Sequence, residues 1–420
     1  MGTRQGKGLG YTRAMPLTFH EHRLPNGLTI VGEVDPDAHS AACGFYVRTG
    51  ARDEDPGVMG VSHFLEHMMF KGTQEITAEA LNRAFDDMGA RNNAFTSNEM
   101  TCFYAHLLPE RLDAGVELLA RMMRPALRQE DFDTEKGVIL EEIAMYQDNP
   151  FWVLYESSTE KHFGTHTLAH RVLGTAKTIT DLTRTQMLHY FNARYAADNT
   201  VVSLAGRLDF AQACDRIEEL CGSWAATGVT RDSTRPSLAG GELKLHDAKV
   251  NRGYLLALAD APAMDDERRY AAMLLAQVLG ASDNSRLHWA LVETGLAEEA
   301  QAGYEPHDGV GEFMLFAVAE PSRLDEVWSV MQRELDALID SITPDDLVRL
   351  TNKVATGATV GGERPHDRMH RLGRLWTYLE RYIPLEDEVD RISSVTLDDL
   401  RETHKAFPIR PVTVGRLLPA

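Results

Sequence analysis

Residues 60–73 read Gly60-Val-Ser-His63-Phe-Leu-Glu66-His67-Met-Met-Phe-Lys-Gly-Thr73. Val61, Phe64, Leu65, Met68 and Met69 recur at helical spacing and predict a largely buried helix from about Val58 to Phe70. Positions i and i+4 of a helix share one face. His63 and His67 therefore offer two imidazoles to a common point, with Glu66 on the same turn as His67. A buried turn carrying His, Glu and His is costly unless something pairs with it, and a metal ion would do so.

The His-x-x-Glu-His order also supplies the parts of a zinc hydrolase. These are two nitrogen ligands, a carboxylate to take a water proton, and an open coordination position. With 16 histidines in the chain, the pattern arises by chance with odds of roughly one in twenty. It therefore needs support elsewhere. Two histidines leave zinc one protein ligand short. A second helix, expected over Phe132–Gln147, reads Glu135-Lys-Gly-Val-Ile-Leu-Glu141-Glu142-Ile-Ala-Met-Tyr. Glu135 and Glu142 lie two turns apart on one face, and Glu141 is about 100° round. Val138 and Ile139 are expected to turn the Glu142 side inward. Glu142 is then the third ligand, and Glu135 orients a histidine or the ligand carboxylate.

Composition sets the outer bounds. The 420 residues are 43% hydrophobic and 25% charged, which is globular usage for two or three domains. The net charge of -20 argues against a nucleic-acid binder and against an anionic membrane surface. The same charge permits attraction of basic peptides. Cys43, Cys102, Cys214 and Cys221 form no Cys-x-x-Cys pair and read as free thiols of a reducing compartment. No apolar run approaches the roughly 20 residues of a membrane span. Residues 1–14 are basic and glycine-rich, without the apolar stretch of a secretory signal, and read as a flexible tail.

Outward from the central helix, strands are expected over Leu28–Val34 and Ala42–Arg48, with a hairpin from Asn92 to His106. Helices are expected over Ala78–Met88, Pro109–Met123 and Phe210–Trp224, with a strand over Asn199–Gly206. A polar stretch at 227–241 reads as a linker. Strands then recur at Arg252–Ala259 and Glu312–Ala319. Helices recur at Asp266–Leu279, Leu324–Ile339 and Asp346–Val354. The expectation is an α+β chain of two similar domains, 15–226 and 242–420, each an antiparallel-rich sheet with helices packed on it.

Several further blocks stand beside the central helix. They are Leu24-Pro-Asn-Gly-Leu-Thr, Asn93-Ala-Phe-Thr-Ser, Glu135-Lys-Gly-Val-Ile-Leu-Glu-Glu-Ile, Val172-Leu-Gly-Thr, Tyr195-Ala-Ala-Asp-Asn-Thr-Val-Val-Ser-Leu-Ala-Gly and Ser285-Arg-Leu. In this order they resemble the pitrilysin-like (M16) zinc peptidases, particularly the mitochondrial-processing-peptidase type. The resemblance implies one Zn²⁺ per chain on His63, His67 and Glu142. Glu66 would be the general base, with Glu135 supporting the ligands. It also implies a peptide substrate bound as an added strand along an exposed edge formed by Asn93, Ala94 and Phe95.

One block departs from the pattern. Members of this type usually follow Ser-Arg-Leu with Arg-Gly-Leu-Ala-Tyr, whose Arg and Tyr hold substrate and oxyanion. Here the chain reads Ser285-Arg-Leu-His-Trp-Ala-Leu-Val-Glu-Thr294-Gly-Leu-Ala-Glu298. The arginine is missing, and a carboxylate stands in place of the tyrosine, where it would repel a developing oxyanion. The expectation is a metal-bearing subunit whose paralogous partner supplies Arg and Tyr in a heterodimer. A homodimer using Tyr304 and His307 is the runner-up. A non-catalytic subunit, like the core proteins of the respiratory bc1 complex, is the competing class. A bacterial cytoplasm is the expected location, with the mitochondrial matrix as the minor alternative.

Overall fold

The computed structural model describes residues 17–420. The tail expected at 1–14 lies outside the described residues. Two mixed sheets, each with its own apolar core, organise the rest.

The first sheet contains β1 (Thr18–Arg23), β2 (Thr29–Val34), β3 (Ala41–Val47), β4 (Arg91–Thr96), β5 (Thr101–Leu107) and β6 (Thr200–Gly206). Their spatial order is β1-β2-β6-β3-β5-β4, antiparallel except for β2 beside β6. The second contains β7 (Gly241–Asp247), β8 (Gly253–Ala261), β9 (Glu299–Pro306), β10 (Gly311–Ala319) and β11 (Thr413–Pro419). Their order is β7-β11-β8-β10-β9, antiparallel except for β7 beside β11. Matching β2, β3, β4, β5, β6 to β7, β8, β9, β10, β11 in chain order reproduces every pairing and direction. The two halves therefore repeat one topology, and β1 is an addition to the first.

Four helices position the site: α1 (Val61–Met69), α2 (Gln129–Gln147), α3 (Pro150–Phe163) and α4 (Pro365–Leu379). Two of them cross between halves. α3 follows the first-half helices yet packs on β8, β11 and β7 of the second sheet. α4 belongs to the second half in sequence yet packs on β3, β6 and β2 of the first. This exchange explains why β3 is buried at all seven positions. Cys43, Phe45 and Val47 enter the main first core, whereas Ala42 and Tyr46 meet Met369 of α4. A strand covered on both faces reads as a continuous apolar run. The approach of α4 is close: a Cβ at Gly373 would stand 2.2 Å from the Tyr46 ring.

The chain departs from the sequence expectations in particular places. α1 begins at Val61 rather than Val58, because Pro56–Val58 forms a separate 3-10 turn. β1, β7, β9, β11, α3 and α4 were not expected from the sequence. Residues 227–240 have no regular structure, yet they are tethered rather than loose. The Arg231 guanidinium donates to Asp53 at 2.6 Å and to the Glu99 carbonyl, and the Asp232 carbonyl accepts from Arg52 at 2.9 Å.

These tethers belong to a buried polar knot between the halves. The Glu99 carboxylate, in the β4–β5 turn, accepts from Arg52 at 2.6 Å and from Tyr378 of α4 at 2.8 Å. His307, in the β9–β10 turn, lies 3.3 Å away. Burial alone would raise the Glu99 pKa, but His307, Arg231 and Arg52 outweigh it and hold the carboxyl well below the usual range. The depressed pKa means that the knot stabilises the fold above the unfolded carboxylate pKa and loses this as pH falls. Glu99→Gln should therefore lower stability by about 3–5 kcal/mol near pH 6. In melts taken across pH, the gap to wild type should narrow below about pH 4.

Candidate metal centre

α1 is fixed at its start by a backbone conformation and a carboxylate. Gly60 adopts φ +93°, which side chains rarely tolerate, and a Cβ there would meet the Leu173 carbonyl at 2.5 Å. The buried Glu54 carboxylate accepts from the N–H groups of Gly60 and Ser62, each at 2.7 Å, satisfying donors that the first turn leaves free. Val61, Phe64, Leu65, Met68 and Met69 are fully buried. Phe64 stacks on Phe132 of α2 with ring centroids 4.7 Å apart, which sets the register between the two helices.

That register brings the expected ligands together. The His63 and His67 rings lie 4.7 Å apart. Glu142 Oε2 stands 3.7 Å from His63 Nε2 and 3.6 Å from His67 Nε2. The three donor atoms lie within 4.8 Å of one another. Glu141 points to solvent. Glu142 faces inward for a different reason from the one expected: Val138 is 44% exposed, and Ile139 with Ile143 carries the buried side of α2.

Glu135 Oε1 lies 2.9 Å from His67 Nδ1, and its carboxylate also pairs with Lys71. The carboxylate accepts a hydrogen bond from Nδ1 and turns Nε2 towards Glu142. Burial would raise the Glu135 pKa, but His67 and Lys71 outweigh it and keep the group ionised. Burial, with His67 beside it, pushes His63 down to about 3, so its ring is neutral. Glu66 lies on the adjoining face and accepts a 2.5 Å hydrogen bond from the Thr96 hydroxyl. Burial raises its pKa, and the Thr96 bond and His67 only partly offset this. The donor set thus fits a divalent ion with three protein ligands and a free position.

Asn93, Ala94 and Phe95 lie on β4, the edge strand of the first sheet. Phe95 is 36% exposed. A cleft of about 280 Å³ runs from this edge to the donors, lined by His63, Glu66, Phe95, Tyr146, Trp152 and Tyr155. Thr96, Glu54 and Lys71 were not singled out in the sequence. Thr96 and Lys71 had a signal, Thr96 as the next residue of the Asn93-Ala-Phe block and Lys71 as part of the stretch that follows His67.

The second half contributes none of these groups. Glu298 pairs with Arg252, and the Thr294 hydroxyl donates to the Ala290 carbonyl. The Tyr304 hydroxyl donates to the Pro262 carbonyl at 2.8 Å, and His307 belongs to the Glu99 knot. Residues His288–Val292, in the shortened block, form a π-helical turn.

Both halves match known family patterns. Residues 29–176 match that of insulinase (peptidase family M16), and residues 181–354 match that of the M16 inactive domain. An uncharacterized zinc protease of Streptomyces coelicolor is 31% identical over 397 residues, spanning 91% of this chain and 86% of that protein. One of Bacillus subtilis is 29% identical over 376 residues, spanning 89% and 91%. This chain belongs to peptidase family M16. Its fold is shared by a protease of Helicobacter pylori, with TM-score 0.90 at 20% identity over 96% of this chain and all of that one. It is also shared by a chain of complex III2 of Candida albicans, with TM-score 0.83 at 17% identity over 95% of each.

Replacing Glu135 tests the support under His67. Glu135→Gln should weaken zinc affinity about 10- to 100-fold while the fold persists. Competition with a chromophoric chelator, beside a thermal melt, reads both effects.

Proposed function

We propose that this chain is a zinc-dependent endopeptidase acting on peptides or unfolded polypeptides. The observation that carries the reading is the convergence of His63, His67 and Glu142 beside Glu66, at the end of a cleft open to an unpaired strand edge. His63, His67 and Glu142 would hold one zinc ion. The ion supplies Lewis acidity towards the scissile carbonyl and makes a nearby water more acidic.

The remaining work falls to the chain. A peptide pairs its backbone with β4 along Asn93, Ala94 and Phe95, so main-chain bonds hold it with little demand on sequence. Glu66 takes the proton of the attacking water and returns it to the leaving amine. Its buried setting makes it a better proton acceptor than an exposed glutamate, and the Thr96 hydroxyl fixes its direction. Glu135 keeps His67 in the tautomer that leaves Nε2 free.

The assembly follows from what the second half lacks. With Glu298 where the resemblance leads one to expect a tyrosine, oxyanion stabilisation has to come from elsewhere. We assign it to a paralogous subunit that closes over the cleft as a clamshell. The homodimer reading is weaker because Tyr304 and His307 are both engaged within their own chain. We place the protein in a bacterial cytoplasm, consistent with four buried, unpaired cysteines. None of the described helices is long and apolar enough to cross a membrane.

Glu66→Gln should keep stoichiometric zinc and lose about 10²- to 10⁴-fold in peptide cleavage. Loss of the metal from that variant would instead make Glu66 a ligand. Changing His63, His67 or Glu142 to Ala should remove the ion of this site, read as the loss of one equivalent by elemental analysis, and leave the circular dichroism spectrum intact. The purified chain alone should cleave an unstructured peptide pool slowly. Full activity without a partner, unaffected by Glu298→Ala, would sink the two-subunit reading.

A further inference from the structure

α4 carries a second histidine pair at i and i+4, His366 and His370. Its first turns lie against β5 on the sheet face opposite α1. Tyr104 and His106 point to this side, whereas Phe103 and Ala105 enter the main core. The pair is therefore separate from the His63–His67 centre.

The two Nε2 atoms face each other at 3.2 Å. Each ring is held from behind. His366 Nδ1 lies 3.0 Å from Asp367 Oδ1, and His370 Nδ1 lies 2.6 Å from the Tyr46 hydroxyl. The Asp367 carboxylate is itself paired with Arg364 at 2.6 Å. An ionised carboxylate only accepts, so His366 carries its proton on Nδ1 and its Nε2 is a bare lone pair. The Tyr46 hydroxyl also reaches Met369 Sδ at 3.5 Å. When it donates there it accepts from His370 Nδ1, and the second Nε2 is bare as well. Two lone pairs at this separation repel unless a cation lies between them. If Tyr46 donates to His370 instead, one N–H bridges the rings. Moving that proton to Nδ1 frees the second lone pair, so from either arrangement one cation can take both nitrogens.

Zinc–imidazole bonds of about 2.0–2.1 Å at a tetrahedral angle place two nitrogens about 3.3 Å apart. The observed 3.2 Å matches that span. A carboxylate behind a ligating histidine is the usual second support of such sites. We infer that His366 and His370 form a second divalent-cation site of zinc character, oriented by Asp367 and Tyr46. His106 stands beside it, its ring 5.8 Å from that of His366 and its Nε2 2.8 Å from the Ser40 hydroxyl. Water completes the shell. The α4 dipole opposes a cation in the first turn, and the Asp367 charge offsets this.

The position links the ion to the β4 edge. Tyr104 pairs with Asn93 across the β5–β4 ladder, and its ring lies 4.5 Å from that of His370. Phe95 lies 5.9 Å from the same imidazole. The site itself stands whether or not the chain is a peptidase.

Zinc added to chelator-stripped full-length chain should load two ions per chain. His366→Gln/His370→Gln should load one, and His63→Ala should still load one. Crystals of the wild-type chain soaked in zinc should show an anomalous peak between the two Nε2 atoms. No peak there overturns the site whatever the variants do, as does equal loading of wild type and the double variant.

Discussion

The carboxylate of Glu99 sits where the β4–β5 turn, the loop before α1, the 227–240 segment, the β9–β10 turn and α4 meet. Arg52, Arg231 and His307 hold it ionised, and Arg231 is in turn anchored by the buried Asp53 carboxylate at 2.6 Å. The arrangement is stiff because any one partner removed strands the others in a low-dielectric interior. Three residues before Glu99 is Thr96, whose hydroxyl sets the direction of Glu66. The joint between the halves and the aim of the candidate base thus share a single hairpin.

The halves repeat one topology but divide the labour. The first keeps the histidine helix, the glutamate helix and an open edge. The second keeps the scaffold, and in place of α1 its Arg269–Gly280 helix is a nearly apolar core element. Each half covers a face of the other's sheet, α3 on β8 and β11, α4 on β3 and β6. That exchange gives the inter-half surface the character of a domain core rather than of a docking interface.

Much of the site was legible because its chemistry is local. Two histidines and a glutamate within five residues, and two glutamates at i and i+7, announce themselves by spacing. Glu142 stands beside the two histidines, as its spacing from Glu135 led one to expect, although Val138 proved to be solvent-facing. The elements that escaped detection depend on distant partners. β1 (TFHEHR) and β9 (EAQAGYEP) are edge strands with much exposed polar surface, so they lack the apolar alternation that marks a strand. α4 buries Met369, Leu372 and Trp376 against a sheet more than 150 residues earlier, among arginines and histidines that disguise the stripe. The internal repeat does surface once in the sequence. Pro109-Glu-Arg-Leu-Asp113 and Pro321-Ser-Arg-Leu-Asp325 open corresponding helices after β5 and β10.

The late position of α4 has a bearing on biosynthesis. Ala42, Tyr46, Met100, Cys102 and Ala205 are all made before residue 365, and their cover arrives only with Met369 and its neighbours. While the ribosome is still translating, the first sheet therefore presents a naked greasy face. That surface is a natural target for chaperones that attend nascent chains, and a truncated transcript would leave it uncovered for good.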